Sequence, residues 1–342
     1  MKNRILFVGN FFDRKAGTIT PSRRVGQVFA MQGFRVNYVS SYVNRITRIP
    51  DILLKVSIGR YDKLHLDVYS GNAFRIAETA ASIGNSRKKP YMLTLRGGSL
   101  PEFYRDNSER IRKLMLGAVQ IATPSKYLHN FFKENEPGIA IAYIPNMVDL
   151  EAFTPKQTYG TVKKLLWVRA FTPIYNPELP VHILYRLCDV YSDLTLTMVG
   201  PDKGLLSNVK ELVEELELTD QVSFTGPVQN ADLPEIYRSH DVMLNTTSYE
   251  SFGMAVLEAG ASGLPVISSQ VGELPLIWHQ DKDILFADKL ATDPFAIELH
   301  KLLTNKDLAE KIGKEAVRNA ASFDKEKIAS QWAGLAQRFK EI

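Results

Sequence analysis

The sequence is poor in cysteine and has no long apolar segment. Its 342 residues include one cysteine, Cys188, so a disulfide within the chain is impossible and a metal site built from thiolates is disfavoured. The six histidines show no spacing that suggests a metal cluster. No apolar run approaches the roughly 20 residues of a membrane-spanning helix, and residues 1–9 have the pattern of a strand and not of a signal peptide. We therefore expect a cytoplasmic protein.

The formal net charge of +4 hides an uneven distribution of charge. Residues 1–150 contain 23 Lys and Arg against 11 Asp and Glu, a net charge of +12, whereas the remaining residues contain 19 against 27, a net charge of −8. A basic front half indicates an anionic partner: a phosphate-bearing acceptor, an anionic membrane surface or nucleic acid. Nucleic acid is not expected, because the sequence has no known DNA-binding motif and no interleaving of basic and aromatic residues.

Short apolar runs alternate with helical stretches along the whole chain. In the front half they lie at 4–8, 25–32, 35–40, 63–68, 74–82, 91–95, 111–116 and 119–123. A second series of apolar runs lies at 164–168, 194–199, 221–224, 241–245 and 265–268. Such alternation predicts βαβ units and mostly parallel sheets, so the fold class is α/β.

Two series of this kind predict two Rossmann-like domains, at residues 1–153 and 154–322. In such sheets ligands bind beyond the carboxyl ends of the strands, so we expect a site where the two domains face each other. The remaining residues, 323–342, have apolar side chains at helical spacing and predict a packing helix.

The most informative segment holds two carboxylates, Glu250 and Glu258, around a Ser-Phe-Gly turn. Its pattern predicts a buried strand at 241–245, a polar loop, and an apolar helix at 254–261 that a Gly-Leu-Pro sequence ends. Glu250 therefore lies in a loop at the carboxyl end of a strand, and Glu258 lies within the helix. Pairs of glutamates at this spacing occur often by chance, so the pair alone predicts little.

The start of that helix is a candidate anion site. The backbone N–H groups of Phe252, Gly253 and Met254 lie where a helix has no internal acceptors for them. The helix dipole is positive at the same end, which favours a phosphate or another anion there.

Together with the residues around the two glutamates, the whole segment 245–267 resembles the donor-sugar motif of the retaining glycosyltransferase family four, also called group 1. The resemblance extends to Leu-Thr-Met-Val-Gly-Pro at 196–201, Val-Ser-Phe-Thr-Gly at 222–226 and Tyr-Ile-Pro-Asn-Met-Val-Asp at 143–149. It covers residues 90–340 well and the first ninety residues only loosely. It implies the GT-B fold, in which two Rossmann-like domains face each other across an interdomain cleft and the last helix, here 323–342, returns to the first domain.

The resemblance also implies roles for single residues. Glu258 is implied to accept hydrogen bonds from the nucleotide ribose, and Glu250 to face hydroxyl groups of the donor sugar. Glu250 as a covalent nucleophile stays open, although the resemblance favours front-face attack with the leaving phosphate as base. Arg169, at the end of a predicted strand, matches the arginine that binds the diphosphate. Further donor-binding positions are implied at Ser251, Phe252, Gly253, Met254, Gly200 and, in the first domain, Gly17.

Two departures from the family pattern affect positive charge at the site. Where the family usually has a lysine, five to seven residues after Arg169, this chain has the lysine-free segment 171–177, in which only Asn176 or Tyr175 offers a hydrogen bond. Where the family often has a histidine before a glycine, this chain has Arg96. Arg96 either binds phosphate and so restores part of the missing charge, or belongs to a simple turn.

The segment 45–60 combines apolar and basic residues, as segments that lie on membrane surfaces do. Pro50 interrupts it, and the same pattern also fits burial of its apolar side against the domain. Both interpretations stay open at this point.

These observations together predict a metal-independent retaining glycosyltransferase that uses no cofactor, because the chain lacks the paired-Asp loop of metal-dependent enzymes. We expect transfer of a hexose or N-acetylhexosamine from a nucleoside-diphosphate sugar to a saccharide or lipid-linked saccharide acceptor. The expected setting is surface polysaccharide or glycolipid assembly, with peripheral contact at the inner face of the cell membrane. Two alternatives stay open: a nucleotide-sugar epimerase of the same fold, and a donor-binding subunit without catalytic activity.

Overall fold

The computed structural model describes residues 3–9, 11, 20–40, 42 and 44–342. Its internal contacts divide the chain into two compact units, the first made of Met1–Met147 and Lys325–Ile342 and the second of Val148–Asp324. The chain thus enters the second unit earlier than residue 153, where the sequence suggested a boundary. The reason is local, since the Val148 N–H donates to the Phe323 carbonyl at 2.9 Å and ties the two ends of the second unit together.

The described part of the first unit is a six-stranded parallel sheet with helices between its strands. The strands are β1 (Arg4–Val8), β2 (Arg35–Val39), β3 (Lys63–Val68), β4 (Tyr91–Leu95), β5 (Gln120–Thr123) and β6 (Ala142–Tyr143). The helices between them are α1 (Pro21–Met31), α2 (Arg45–Ile58), α3 (Asn72–Ser86), α4 (Leu100–Leu116) and α5 (Lys126–Asn135). The strand order is β2-β1-β3-β4-β5-β6, so the direction of winding reverses between β1 and β3.

The second unit contains another six-stranded parallel sheet. Its strands are β7 (Lys164–Val168), β8 (Thr195–Val199), β9 (Val222–Gly226), β10 (Val242–Asn245), β11 (Val266–Ser269) and β12 (Leu285–Ala287). Its helices are α6 (Glu178–Cys188), α7 (Leu206–Glu215), α8 (Leu233–Arg238), α9 (Met254–Ala261), α10 (Leu274–Ile277), α11 (Thr292–Thr304) and α12 (Lys306–Ala320). The order β12-β11-β10-β7-β8-β9 reverses between β7 and β10. The two parallel sheets with helices between their strands confirm the predicted α/β class.

Each sheet is covered on both faces, which explains why its strands are almost continuously apolar. In β7, Leu165 and Trp167 pack into one buried cluster, while Leu166 between them packs into the cluster on the opposite face. In β1, Leu6 and Phe7 divide between two clusters in the same way. Alternation of side chains along a strand therefore builds two cores from one apolar run.

The last helix, α13 (Lys325–Glu341), belongs to the first unit. Its buried stripe, Ile328, Trp332, Leu335, Ala336 and Phe339, joins the cluster that contains Phe7 and Phe29. The 3.6-residue period places these side chains on one side of the helix, opposite its charged side. The helix therefore completes one face of the first sheet.

Two helices of the first unit differ from what the sequence indicated. Helix α4 begins at Leu100, whereas the apolar run in the sequence begins only at 111. The polar first half of the helix hides its apolar period, and Asn107 interrupts the helix with non-helical backbone angles. Helix α2 continues through Pro50, although proline has no N–H to donate to the carbonyl four residues earlier. Among the described residues, no helix has both the length and the apolar composition required to cross a membrane.

We predict that Trp332→Ala lowers the free energy of unfolding by about 3–5 kcal/mol, because it leaves a large cavity beneath α13. Trp332 is among the largest fully buried side chains. Urea titration followed by circular dichroism measures the change, and Gln331→Ala, at an exposed position of the same helix, is the control. Equal stability of both variants would contradict the packing of α13 described above.

Candidate functional site

The carboxyl ends of β7 and β10 lie side by side where the order of the second sheet reverses, which is where α/β sheets bind ligands. Arg169 follows β7, and Asn245 is the last residue of β10. Arg169 Nη2 donates to Glu250 Oε2 at 2.6 Å and to Asn245 Oδ1 at 2.8 Å. The resemblance implied separate contacts of Arg169 and Glu250 with the donor. The fold brings these two residues into direct contact with each other, and it adds Asn245.

The ion pair is largely shielded from solvent, since the side chains of Arg169 and Glu250 are only 10% and 11% exposed. Removing one member of such a pair is costly because the other charge is left buried without a partner. Arg169 Nε donates to Asn245 Oδ1 at 3.2 Å, and the Tyr175 ring centroid lies 5.0 Å from its guanidinium carbon. Nη1 donates to no described residue, so the guanidinium is fixed on one side and keeps a donor for an anionic ligand.

Two glycines let other backbone segments pack directly behind this pair. Gly200 follows β8 at φ +148°, and a Cβ there would lie 1.8 Å from the Arg169 carbonyl oxygen. Gly272 has φ +57°, and a Cβ there would lie 1.8 Å from the Glu250 carbonyl oxygen. A side chain at either position would displace the backbone of a charged residue. The structure therefore gives Gly200 a supporting place behind Arg169.

Buried polar side chains hold the end of β10 in place. Asn245 Nδ2 donates to Ser268 Oγ at 2.8 Å, so its Oδ1 points toward Arg169. Trp167 Nε1 donates to Thr246 Oγ1 at 3.0 Å, and Thr246 Oγ1 donates to the Tyr175 carbonyl at 2.8 Å. No sequence motif singled out Asn245 or Thr246. A signal was present, since polar residues that follow a buried strand must find partners.

Asn176 lies beside the same strand end but does not replace the missing lysine. It ends a short 3₁₀ turn, Pro173–Tyr175, with φ +45°, and its Nδ2 donates to the Thr246 carbonyl at 3.0 Å. One amide hydrogen is therefore used to fasten the turn to the end of β10. Since an amide carries no charge, Arg169 supplies the positive charge at this strand end.

Glu258 lies in the second turn of α9 and is half-buried. The Tyr237 hydroxyl donates to Glu258 Oε2 at 3.3 Å. Burial raises the pKa of Tyr237 well above its ordinary value, and the adjacent carboxylate raises it further. Tyr237 thus stays a neutral donor that orients Glu258, and it is a third residue, after Asn245 and Thr246, that no sequence motif indicated.

The four residues at the start of α9 differ in what they offer a ligand. Gly253 precedes the helix, Met254 begins it, and Ser251 lies half-buried in the loop before it. The Phe252 side chain is buried and packs edge-on against Phe323, with ring centroids 5.8 Å apart. Only the backbone of Phe252 is therefore available for a contact with a donor.

In the first unit, Arg96 follows β4 and its side chain is buried. Its Nε donates to Asp67 Oδ1 at 2.7 Å, and its backbone N–H donates to the Val68 carbonyl at 2.9 Å. Arg96 is thus part of a buried ion pair and is not only a residue of a simple turn. Gly17, the other predicted position of this unit, lies outside the described residues.

Within the described part of the chain, no three His, Cys, Asp or Glu side chains are grouped so that they could hold a metal ion. The expectation that the protein works without a metal stays a prediction.

Residues 150–319 match the model of a family described as glycosyl transferases group 1. This segment lies within the second unit and contains Arg169, Glu250 and Glu258. The resemblance found in the sequence is thereby confirmed for this part of the chain.

Two curated relatives match parts of the chain. The mannosylfructose-phosphate synthase of Agrobacterium fabrum is 33% identical over 134 residues, which make up 39% of this chain and 28% of that protein. The D-inositol 3-phosphate glycosyltransferase of Corynebacterium glutamicum is 28% identical over an alignment of 212 residues, which covers 57% of this chain and 51% of that protein. The chain therefore spans about half, or less, of the length of these relatives.

Solved structures resemble the chain over almost its full length. Sucrose-phosphate synthase from Thermosynechococcus elongatus superposes with a TM-score of 0.78 at 18% identity and covers 99% of both chains. HepE from Anabaena, in complex with UDP and glucose, gives a TM-score of 0.74 at 14% identity, also over 99% of both chains. At such identities the similarity concerns the fold alone, and it confirms the GT-B class.

We predict that Gly200→Ala destabilises the second unit more than Gly204→Ala does. Both glycines have positive φ, so each alanine adds backbone strain of roughly 1–3 kcal/mol. At Gly204, however, no heavy atom lies within 4 Å of the added Cβ, whereas at Gly200 the Arg169 backbone must move. Urea unfolding compares the two variants, and equal losses would show that the contact behind Arg169 is unimportant.

Proposed function

We propose that this chain, whose residues 150–319 match the group 1 glycosyl transferases, transfers a sugar from a nucleoside diphosphate to a saccharide acceptor. The anomeric configuration of the sugar is retained. The donated sugar is a hexose or an N-acetylhexosamine.

The ion pair of Arg169 and Glu250 is the observation that carries this proposal. Breaking the bond between a sugar and a diphosphate builds negative charge on the leaving group and positive charge on the sugar. Arg169, with Nη1 directed to no described residue, supports binding of the diphosphate, and the start of α9 adds backbone donors. Glu250, held against Arg169 at 2.6 Å, supports a contact with the sugar beside that phosphate.

The nucleotide and the sugar are bound by different carboxylates in this proposal. Glu258 accepts hydrogen bonds from the ribose, and its orientation is supported by the Tyr237 hydroxyl at 3.3 Å. Glu250 faces the sugar, and the leaving phosphate acts as the base for front-face attack by the acceptor. The reaction needs no cofactor and no metal, because the guanidinium and the helix start stabilise the leaving charge.

The acceptor is a saccharide or a lipid-linked saccharide, in surface polysaccharide or glycolipid assembly at the inner membrane face. The net charge of +12 in residues 1–150 supports an anionic acceptor or surface. Helix α2 buries Ile52 and Val56 but leaves Leu54 and Ile58 exposed at 58% and 72%. An outward apolar stripe on a helix with basic neighbours supports peripheral contact with an anionic membrane.

A donor-binding subunit without catalysis is a second candidate, and the lysine-free segment 171–177 favours it. The structure places Asn176 there, with an amide hydrogen already used on Thr246. A site with one cation fewer stabilises a leaving diphosphate less well. Release of nucleoside diphosphate by the purified single chain would eliminate this candidate.

The proposal is tested by thermal shift with a panel of nucleoside diphosphates and nucleotide sugars. A ligand at 100 times its dissociation constant stabilises the native state by roughly 2.7 kcal/mol. We expect at least one nucleotide sugar to raise the melting temperature and to yield a glycosylated product with a saccharide acceptor. Absence of any shift across UDP, GDP, ADP and their sugars would refute the proposal.

We predict that Glu258→Ala weakens nucleoside diphosphate binding by about 1.5–3 kcal/mol, because a charge-assisted hydrogen bond to the ribose is lost. Isothermal titration calorimetry with the nucleotide selected by the panel measures the change. Glu211→Ala, at an exposed position of α7, is the control and should bind as the unsubstituted protein does. Unchanged affinity of Glu258→Ala would remove Glu258 from the ribose site.

We predict that activity persists in excess EDTA, since Arg169 and the start of α9 provide the positive potential that a metal would otherwise supply. Turnover is compared in EDTA and in EDTA followed by excess magnesium or manganese. Loss of activity on chelation, together with recovery on metal addition, would contradict a metal-independent reaction.

A further inference from the structure

A second buried ion pair lies in the first unit, at the carboxyl edge of its sheet. Asp67 is the last residue but one of β3, and its side chain is fully buried, while that of Arg96 is 6% exposed. The Asp67 carboxylate accepts hydrogen bonds from Arg96 Nε at 2.7 Å and from the hydroxyl of Ser22 in the first turn of α1. Three elements therefore converge on one carboxylate.

This arrangement lies where the winding of the first sheet reverses, between β1 and β3. Gly9, directly after β1, leaves room for Asp67, because a Cβ there would lie 2.4 Å from Asp67 Oδ2. A buried carboxylate inside a strand is unfavourable unless it is paired and hydrogen-bonded. The fold supplies both, and it does so at the edge of the sheet where ligands bind and not at its opposite edge.

The guanidinium of Arg96 is only partly used within the protein. Nε is bonded to Asp67, and Nη1 donates to Asn146 Oδ1 at a long 3.4 Å. Nη2 is buried and has no hydrogen-bond acceptor among the described residues. A buried donor without an acceptor is destabilising, so its presence at a ligand-binding edge indicates that a ligand oxygen completes it.

We propose that Asp67 is a positioning residue, which holds the Nε side of Arg96 so that Nη2 is presented to an oxygen of the saccharide acceptor at this edge of the first sheet. This inference rests on the proposed function. Because Asp67 neutralises most of the charge of Arg96, the arginine acts here as a directed hydrogen-bond donor and not as a replacement cation. Ser22 acts one step further back, by fixing the second oxygen of the Asp67 carboxylate.

The same sheet offers a matched control. Asp62 lies immediately before β3, accepts from Arg4 Nε at 3.1 Å and Nη2 at 2.9 Å, and lies at the amino edge of the sheet. The Arg4 guanidinium lowers the pKa of Asp62 to about 2, so this pair is charged at neutral pH. Asp62→Asn therefore removes an Asp–Arg ion pair from the same unit, far along the strand from Arg96.

The test uses the full chain with the nucleotide sugar that the thermal-shift panel selects. We measure kcat, KM for the nucleotide sugar and the melting temperature for Asp67→Asn, Asp62→Asn, Arg96→Ala and the double variant Asp67→Asn with Arg96→Ala. Misplacing a catalytic donor typically costs up to about 100-fold. We expect Asp67→Asn to lower kcat by about 10- to 100-fold with little change in KM, and Asp62→Asn to leave kcat unchanged.

The double variant separates positioning from a structural role. If Asp67 acts through Arg96, its substitution lowers kcat no further once Arg96 is alanine, because the two residues act as one unit. Multiplication of the two losses, or equal kcat for Asp67→Asn and Asp62→Asn at matched folded fractions, would overturn the inference. Turnover by the unsubstituted chain in the same experiment would show that the proposed function holds even where this inference fails.

If Asp67→Asn does not fold, Ser22→Ala tests the inference in its place. It keeps both charges and removes only the hydroxyl that holds the second oxygen of Asp67. We expect a fall in kcat of a few-fold in a folded protein, and none in the Arg96→Ala background. An unchanged kcat for Ser22→Ala, in a preparation that melts cooperatively, would also overturn the inference.

Discussion

The site of the second unit depends on one interaction, the buried ion pair between Arg169 and Glu250. Neither charge is stable there alone, since each would lose water without gaining a partner. Their partnership requires β7 beside β10, an end of β10 held by Asn245 and Thr246, and backbone packed behind both residues at Gly200 and Gly272. Much of the carboxyl edge of this sheet is thus built around two side chains.

The first unit repeats the same physical arrangement with different parts. There too an arginine follows a strand, and there too it is paired with a buried carboxylate next to the strand-order reversal. The carboxylate comes from β3 itself, whereas in the second unit it comes from a loop. In both pairs one guanidinium nitrogen, Nη2 of Arg96 and Nη1 of Arg169, has no acceptor among the described residues.

The two ion pairs determine how much positive charge the protein has at the two positions where it departs from its family pattern. The lysine that the family usually has after the first strand of the second unit is replaced by a segment whose amide, Asn176, fastens the strand end. The arginine in the first unit is neutralised by Asp67, so it adds direction more than charge. Arg169 is paired with Glu250 in the same way, so in the proposed reaction the backbone donors at the start of α9 act beside a guanidinium whose charge is also partly balanced.

The sequence by itself determined the two-sheet α/β architecture, the bounds of β1, β3, β4, β7 and α9, and the family of residues 150–319. The architecture and the bounds follow because buried parallel strands are continuous apolar runs and because glycine and proline mark their ends. The family follows from the resemblance of segment 245–267 and its neighbouring motifs. It did not reveal that Arg169 contacts Glu250, 81 residues away, or that Asp67 contacts Arg96. These contacts depend on which strands lie side by side, and strand order is set by packing of the whole sheet and not by any local pattern. The tertiary structure alone decided that each arginine is paired, and with it how much charge each can offer a ligand.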